Sequence, residues 1–304
     1  MTKKSNSSVL NLSLFLLIIV LSGCTLTTEN TDFADDIIAA LPPWRTIKHI
    51  DRDVVYASPD SRGLTLDVFR PDRNGPLPMF VWVHGGNYNH FSKESGEGLC
   101  RYVAEHGYVV FNINYRKVPQ AHLKEIVEDV MSAVIWAKDH AEEYNGDPLR
   151  LAIGGHSAGA HMAEIVTVAC NDDFFKPSYN SKTNNDCCPA AAVLVSGYYE
   201  FEPQWENWNR WLIGAPRNEA PELYKKLGPA SYDLSGLPPH LVVFGEKDMH
   251  RERGIEWARR LDQAKVKAET YMAEDSKHHW IMWHWKKESR KTYQRIVTFL
   301  DRHL

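Results

Sequence analysis

Along most of the chain, short continuous apolar runs alternate with longer stretches in which apolar residues recur at helical spacing. Residues 79–83, 108–114, 151–154, 190–195 and 241–245 are runs of the first kind and predict strands buried on both faces. Residues 96–106, 119–144, 160–170 and 251–264 predict helices, and in the second of these Ile126, Val130, Val134, Ile135 and Ala137 share one face. Residues 51–56 and 64–69, separated by the turn signal Ser58-Pro59-Asp60-Ser61-Arg62-Gly63, predict an antiparallel hairpin at a sheet edge. Residues 267–272 alternate like an edge strand, and 288–304 predict a last helix. Strands alternating with helices call for an α/β fold with a mostly parallel central sheet and helices on both faces. Two stretches depart from the pattern. Residues 171–189 are polar and cysteine-bearing and predict a surface excursion, while in 200–230 Trp205, Trp208 and Trp211 fall three apart, on one helical face.

The N-terminus belongs to a different class of segment. Lys3 and Lys4 precede an apolar run over 9–21 that has the length of a secretory signal and is short for a membrane span. Leu21-Ser22-Gly23-Cys24 then resembles the lipobox of bacterial lipoproteins. That resemblance implies a signal peptide over 1–23, acylation of Cys24, a tether over 24–45, and a domain over 46–304 held in the bacterial cell envelope. Thr25, in place of an aspartate, favours the outer membrane. The expected membrane partner is therefore the bilayer itself, through the lipid anchor.

Composition adds mainly exclusions. The net charge of −4 over 304 residues and the lack of a basic stripe argue against nucleic acid as a partner. Apart from Cys24, four cysteines remain, and they allow three pairings. Cys170 with Cys187 or Cys188 would staple the loop between them, whereas Cys100 on a helical face suits a buried thiol. No C-x-x-C spacing points to zinc, and no metal or organic cofactor is expected.

The candidate chemistry centres on Gly155-His156-Ser157-Ala158-Gly159, which has the form G-x-S-x-G between a predicted strand and a predicted helix. Ser157 in such a turn stands above the sheet edge as a nucleophile, and glycines on either side let strand and helix approach. Asp248 follows the strand 241–245, with Glu246 as its rival, and His278 or His279 follows the last strand. The order Ser, Asp, His is that of the α/β-hydrolase triad. Backbone N–H groups of Ala158, Gly85 and Gly86 are candidates for an oxyanion hole, because a developing negative charge needs fixed donors at hydrogen-bond distance. His84 is expected to order the oxyanion loop, and His156 and His161 to flank the turn.

From about residue 64 onward the sequence resembles the α/β-hydrolase superfamily, in the branch that holds hormone-sensitive-lipase-like carboxylesterases and kynurenine formamidase-like enzymes. His84-Gly85-Gly86 and the G-x-S-x-G carry the superfamily signal. Asn114-Tyr115-Arg116, Gly146-Asp147-Pro148 and Ser196-Gly197-Tyr198-Tyr199 point to the formamidase-like branch. The resemblance implies Ser157, Asp248 and His279 as catalytic residues. His279 is favoured over His278 because the family's histidine is often followed by an aromatic residue, here Trp280. It also implies a short cap around 200–230, with Asn87, at the fourth position of the His-Gly-Gly-Gly pattern, Trp205 and Trp208 as candidate pocket residues. Trp280, Trp283 and Trp285 are expected to pack in the core. The implied activity is hydrolysis of small to medium carboxylic esters through an acyl-enzyme. The rivals are an arylformamidase or amidase and a non-catalytic, lipid-anchored binding protein. Nothing in the sequence fixes the oligomeric state.

Overall fold

A computed structural model describes residues 47–57, 64–179, 181, 184 and 186–304. The expected signal peptide, Cys24 and the tether up to residue 45 lie outside these residues, as does the 58–63 turn. Within them the strands are β1 (His49–Val55), β2 (Thr65–Arg70), β3 (Leu77–Val83), β4 (Val109–Ile113), β5 (Gly146–His156), β6 (Ala191–Val195), β7 (His240–Gly245) and β8 (Ala268–Ala273). They form one sheet in the order β1-β2-β4-β3-β5-β6-β7-β8. The β1–β2 and β2–β4 pairs are antiparallel and the remaining pairs are parallel. The fold is α/β, with a mostly parallel sheet.

Alternating strand residues build two cores. Val81, Phe111, Ile153, Leu194 and Val242 face one side, with α2 (Leu123–Asp139), α3 (Ala158–Ala169) and α6 (Arg251–Gln263) packed on them. Phe80, Trp82, Val110, Ala152, Val193 and Val243 face the other, under α1 (Glu97–Glu105) and α7 (Lys287–His303). Both faces are dry, which is why these strands read as unbroken apolar runs. Two elements differ in extent from the sequence pattern. Helix α2 starts only at Leu123, where the Glu125 carboxylate accepts the His122 N–H at 3.1 Å. Residues 119–121 instead form a turn, with the Gln120 and Ala121 N–H groups on the Lys117 carbonyl. Strand β5 starts five residues early, at Gly146. The Leu77–Gly146 pairing is followed by a register shift before Met79–Leu151, and this irregular, partly exposed piece carries no apolar signal.

Between β6 and β7 lie the two short helices α4 (Glu206–Ile213) and α5 (Pro221–Leu227). Leu212, Ile213, Tyr224 and Leu227 anchor this segment to the α2/α3 core. A disulfide joins Cys170 at the end of α3 to Cys188 just before β6, and Cys100 and Cys187 are buried free thiols. No helix among the described residues is long and apolar enough to cross a membrane.

Candidate active site

Strand β5 ends at His156 and α3 begins at Ala158, so Ser157 alone makes the turn, at φ 56° and ψ −116°. A side chain in that region costs about 1–3 kcal/mol and persists only where the surroundings enforce it. Here the Ser157 N–H donates to the Val195 carbonyl on β6 at 2.8 Å, and the Ser157 carbonyl accepts the His161 N–H at 3.1 Å. The flanking glycines are required by close approach. A Cβ on Gly155 would lie 2.3 Å from the Gly159 carbonyl carbon, and one on Gly159 would lie 2.1 Å from the Val83 carbonyl oxygen.

The structure brings His278, not His279, to Ser157. His278 Nε2 lies 2.8 Å from Ser157 Oγ, and its Nδ1 lies 2.9 Å from Asp248 Oδ1. A carboxylate can only accept, so Nδ1 carries the proton and Nε2 is left to accept from the serine hydroxyl. The expectation of His279 is thus corrected, and the reason is local. The loop after β8 is pinned where the Lys247 N–H meets the Ser276 carbonyl at 2.9 Å and where His156 Nε2 donates to the His278 carbonyl at 2.8 Å. These contacts aim the 278 side chain inward. The 279 ring is exposed and meets Phe91 edge-on, 5.9 Å between centroids. Trp280, which favoured His279 in the sequence, is a core residue whose Nε1 donates to Thr292 Oγ1 at 3.1 Å.

Asp248 follows β7 and is buried. Burial opposes its charge, but hydrogen bonds from His278, the His250 N–H and Ser196 Oγ outweigh it and hold the carboxyl down at about 2. Its rival Glu246 instead accepts the Asp275 N–H at the surface. Ser196 was not singled out from the sequence as a site residue. It stands at the C-terminal end of β6, where such residues collect, and that position is the signal that could have found it.

The N–H groups of Gly85, Gly86 and Ala158 donate to no other group among the described residues. Gly86 has φ 113°, which only glycine adopts freely, and Ala158 is the first residue of α3. His84 stacks on Tyr115 at 4.2 Å, and the Tyr115 hydroxyl donates to the His84 carbonyl at 2.9 Å, which braces this loop. A second brace went unseen in the sequence. Tyr88, buried two residues beyond Gly86, places its hydroxyl 2.6 Å from His161 Nδ1 and 2.7 Å from the Tyr198 hydroxyl. His161 Nε2 donates to the Leu227 carbonyl at 3.1 Å, so Nδ1 is free to accept, and burial holds the ring neutral with its pKa down at about 3. The glycine loop and the nucleophile helix are thereby tied together.

Asn87 is exposed on the loop, at φ 52°. Trp208 is half-buried against Tyr88 and Tyr198, at 5.9 and 6.0 Å. Trp205 stands edge-on to Trp208, 41% exposed, with Arg253 over its ring. His250 carries this aromatic wall to the catalytic side, 4.9 Å from the His278 ring. Ring nitrogens of His156, His278 and His279 lie within 4.8 Å of one another. Both His278 nitrogens and His156 Nε2 are already hydrogen-bonded within this arrangement, which is the order of an acid–base relay and not of a ligand set.

Serine, imidazole and carboxylate in this line, with free N–H groups at a helix start, can perform nucleophilic acyl transfer. Known proteins share the framework. Esterase LipQ of Mycobacterium tuberculosis is 29% identical over 217 residues, covering 68% of this chain and 51% of its own. The chain spans about half the length of the first such relatives. Among solved structures, EstE1, a thermostable carboxylesterase cloned from a metagenomic library, superposes with a TM-score of 0.74 at 22% identity, over 91% of this chain and 96% of that one. A bacterial heroin esterase superposes at 0.69 with 25% identity, over 91% and 90%. These likenesses give the α/β-hydrolase fold. The BD-FAE profile matches residues 66–252, a span that includes the glycine loop, Ser157 and Asp248 and more than half of the sequence, and the chain belongs to the BD-FAE family of α/β-hydrolases.

Proposed function

We propose that the protein is a serine carboxylesterase acting on small to medium esters. The observation that carries this reading is the His278 ring, hydrogen-bonded at once to Ser157 Oγ and Asp248. In the proposed reaction Ser157 Oγ attacks the ester carbonyl carbon while His278 Nε2 takes its proton. The N–H groups of Gly85, Gly86 and Ala158 receive the oxyanion, each such donor being worth about 3–4 kcal/mol in the transition state. The intermediate then expels the alcohol, protonated by His278, and water releases the acyl group by the same steps in reverse roles. Several relatives and structural neighbours are named as esterases, which supports the same reaction class.

A p-nitrophenyl ester series from acetate to laurate tests this. Turnover highest on short chains, and lost in Ser157→Ala, is expected. A folded protein inactive on every ester would contradict it, and N-formyl aryl amides would then test the formamidase reading. Most residues that suggested that branch have structural roles here. Tyr115 braces His84, Arg116 pairs with buried Asp129 at 2.7 Å, and Tyr199 stacks on Trp257. They therefore favour neither reaction. A fluorophosphonate probe that fails to label the folded protein would point instead to a binding protein.

We further propose that Cys24 is acylated and the domain tethered in the cell envelope, a location that favours acetylated or aromatic-acylated sugars as substrates. The disulfide supports an oxidising compartment. Incorporation of an alkyne fatty acid that is lost in Cys24→Ala is the expected result, and none in the unchanged protein would contradict it.

A further inference from the structure

A groove of about 890 Å³ opens beside His278 and His279, between the loop after β8 and the start of α7. None of the cap residues lines it. Its charge is uneven, with five lysines against three carboxylates. The carboxylates are all engaged: Asp275 by Lys247, and Glu288 and Glu274 by Lys291 at 3.0 and 3.8 Å. Lys277, Lys286 and Lys287 are exposed and their side chains form no hydrogen bond or ion pair among the described residues, although the Lys277 charge helps to lower the pKa of Asp275. Trp283 lines the same groove and is 40% exposed, whereas its neighbour Trp280 is buried. The expectation that Trp283 and Trp285 pack in the core is thus corrected: they are 40% and 41% exposed, their rings meet at 5.2 Å between centroids, and Trp283 shares the groove lining with the lysines.

We propose that this groove is the subsite for the alcohol half of the ester, and that it selects a ring-bearing alcohol with an anionic substituent. The inference rests on the esterase reading. In that reaction the ester C–O bond breaks as Ser157 Oγ bonds to the acyl carbon, and the serine proton passes through His278 Nε2 to the departing alkoxide. The alcohol therefore leaves on the His278 side of Ser157, and His278 is one of the residues that line the groove. Trp283 offers a flat face for a sugar or aromatic ring. With five lysines against three carboxylates, Lys277 on the loop after β8 and Lys286 and Lys287 at the start of α7 leave the groove net positive, which raises the local concentration and the residence of an anion.

The test compares 4-acetoxybenzoate with its neutral methyl ester, methyl 4-acetoxybenzoate, at low ionic strength. Both release the same acetyl group from a substituted phenol, so the ratio of their kcat/KM values, followed from wild type to variant, isolates the charge. In Lys277→Gln/Lys286→Gln/Lys287→Gln that ratio should fall about tenfold, with kcat/KM for the neutral ester unchanged. Salt at about 0.5 M should lower the ratio in the wild type and leave the variant's unmoved. Trp283→Ala should raise KM for both ring esters and leave ethyl acetate hydrolysis as it was. An unaltered ratio in the triple variant, with the neutral ester turned over normally, would overturn the subsite alone. Hydrolysis of neither ester, with Ser157 unlabelled by a fluorophosphonate, would remove the esterase reading and the subsite together.

Discussion

At the level of single residues, the proposed chemistry depends on which of two adjacent histidines meets Ser157. The sequence could place a histidine after the last strand but could not fix a one-residue register in an irregular loop. The clue that favoured His279, the aromatic Trp280, belongs to the packing of α7. Substitution separates the two. His278→Ala should lower kcat/KM by about 10⁴-fold or more, as loss of a triad base does, whereas His279→Ala should stay within about tenfold. Ser157 carries a second expectation through its backbone. Since φ 56° is strained for serine, Ser157→Gly should abolish turnover yet be more stable than Ser157→Ala by about 1 kcal/mol, read from urea unfolding. Tyr88 acts through others and is a positioning residue. Tyr88→Phe leaves buried His161 Nδ1 without its partner and loosens the glycine loop. A loss of about 1–3 kcal/mol of stability is expected, with kcat falling about tenfold at little change in KM. A fall in KM-dependent terms alone would contradict that role.

At the scale of elements, the strands and most helices were legible because burial on both sheet faces writes continuous apolar runs into the chain. The turn at Ser157 was equally legible, since a Cβ on Gly155 or Gly159 would come within 2.5 Å of backbone atoms and only glycine fits there. The early piece of β5 was not, because its pairing needs no apolar side chains. Nor were the braces, since Tyr88–His161 and Ser196–Asp248 join residues 73 and 52 positions apart. One further cross-element contact has a pH signature. Glu164 on α3 and His240 on β7 form a fully buried pair at 3.0 Å. Burial opposes the His240 charge, but Glu164 and the Pro238 carbonyl outweigh it and raise its pKa above the ordinary value. A raised folded-state value means a contribution that is complete below about pH 6.5 and lost as pH rises through the folded value. His240→Ala should cost about 3–5 kcal/mol at low pH, because it strands a buried carboxylate. The gap to wild type should narrow as pH rises above about 6.5 and through the raised folded value of His240. A gap independent of pH would contradict a charged His240.

At the scale of the whole molecule, the sheet gathers the chemistry at one edge while stability is fixed elsewhere. Ser157, Ser196, Asp248 and His278 follow β5, β6, β7 and β8, all at C-terminal strand ends. The Cys170–Cys188 disulfide sits at the opposite end of α3 from Ser157, about 18 Å away along a twelve-residue helix. Reduction should therefore lower stability by about 3 kcal/mol and leave kcat/KM on p-nitrophenyl acetate unchanged. The cap showed in the sequence only as a break in the strand–helix alternation. Its tryptophans divide by burial: Trp208 lies half-buried against the aromatic wall, while Trp205, at the edge of that wall, and Trp211 are more exposed. Periodicity places a residue on a helical face but not that face against a neighbour.

In the proposed reaction Ser157 is a nucleophile activated by His278. That activation is tested most directly by the rate and position of fluorophosphonate labelling, mapped by peptide mass spectrometry. One label per chain is expected, on Ser157, forming rapidly in the unchanged protein and in His279→Ala and slowed at least about a thousandfold in His278→Ala. Rapid labelling that survives in His278→Ala but is lost in His279→Ala would contradict it, as would a label on any other residue.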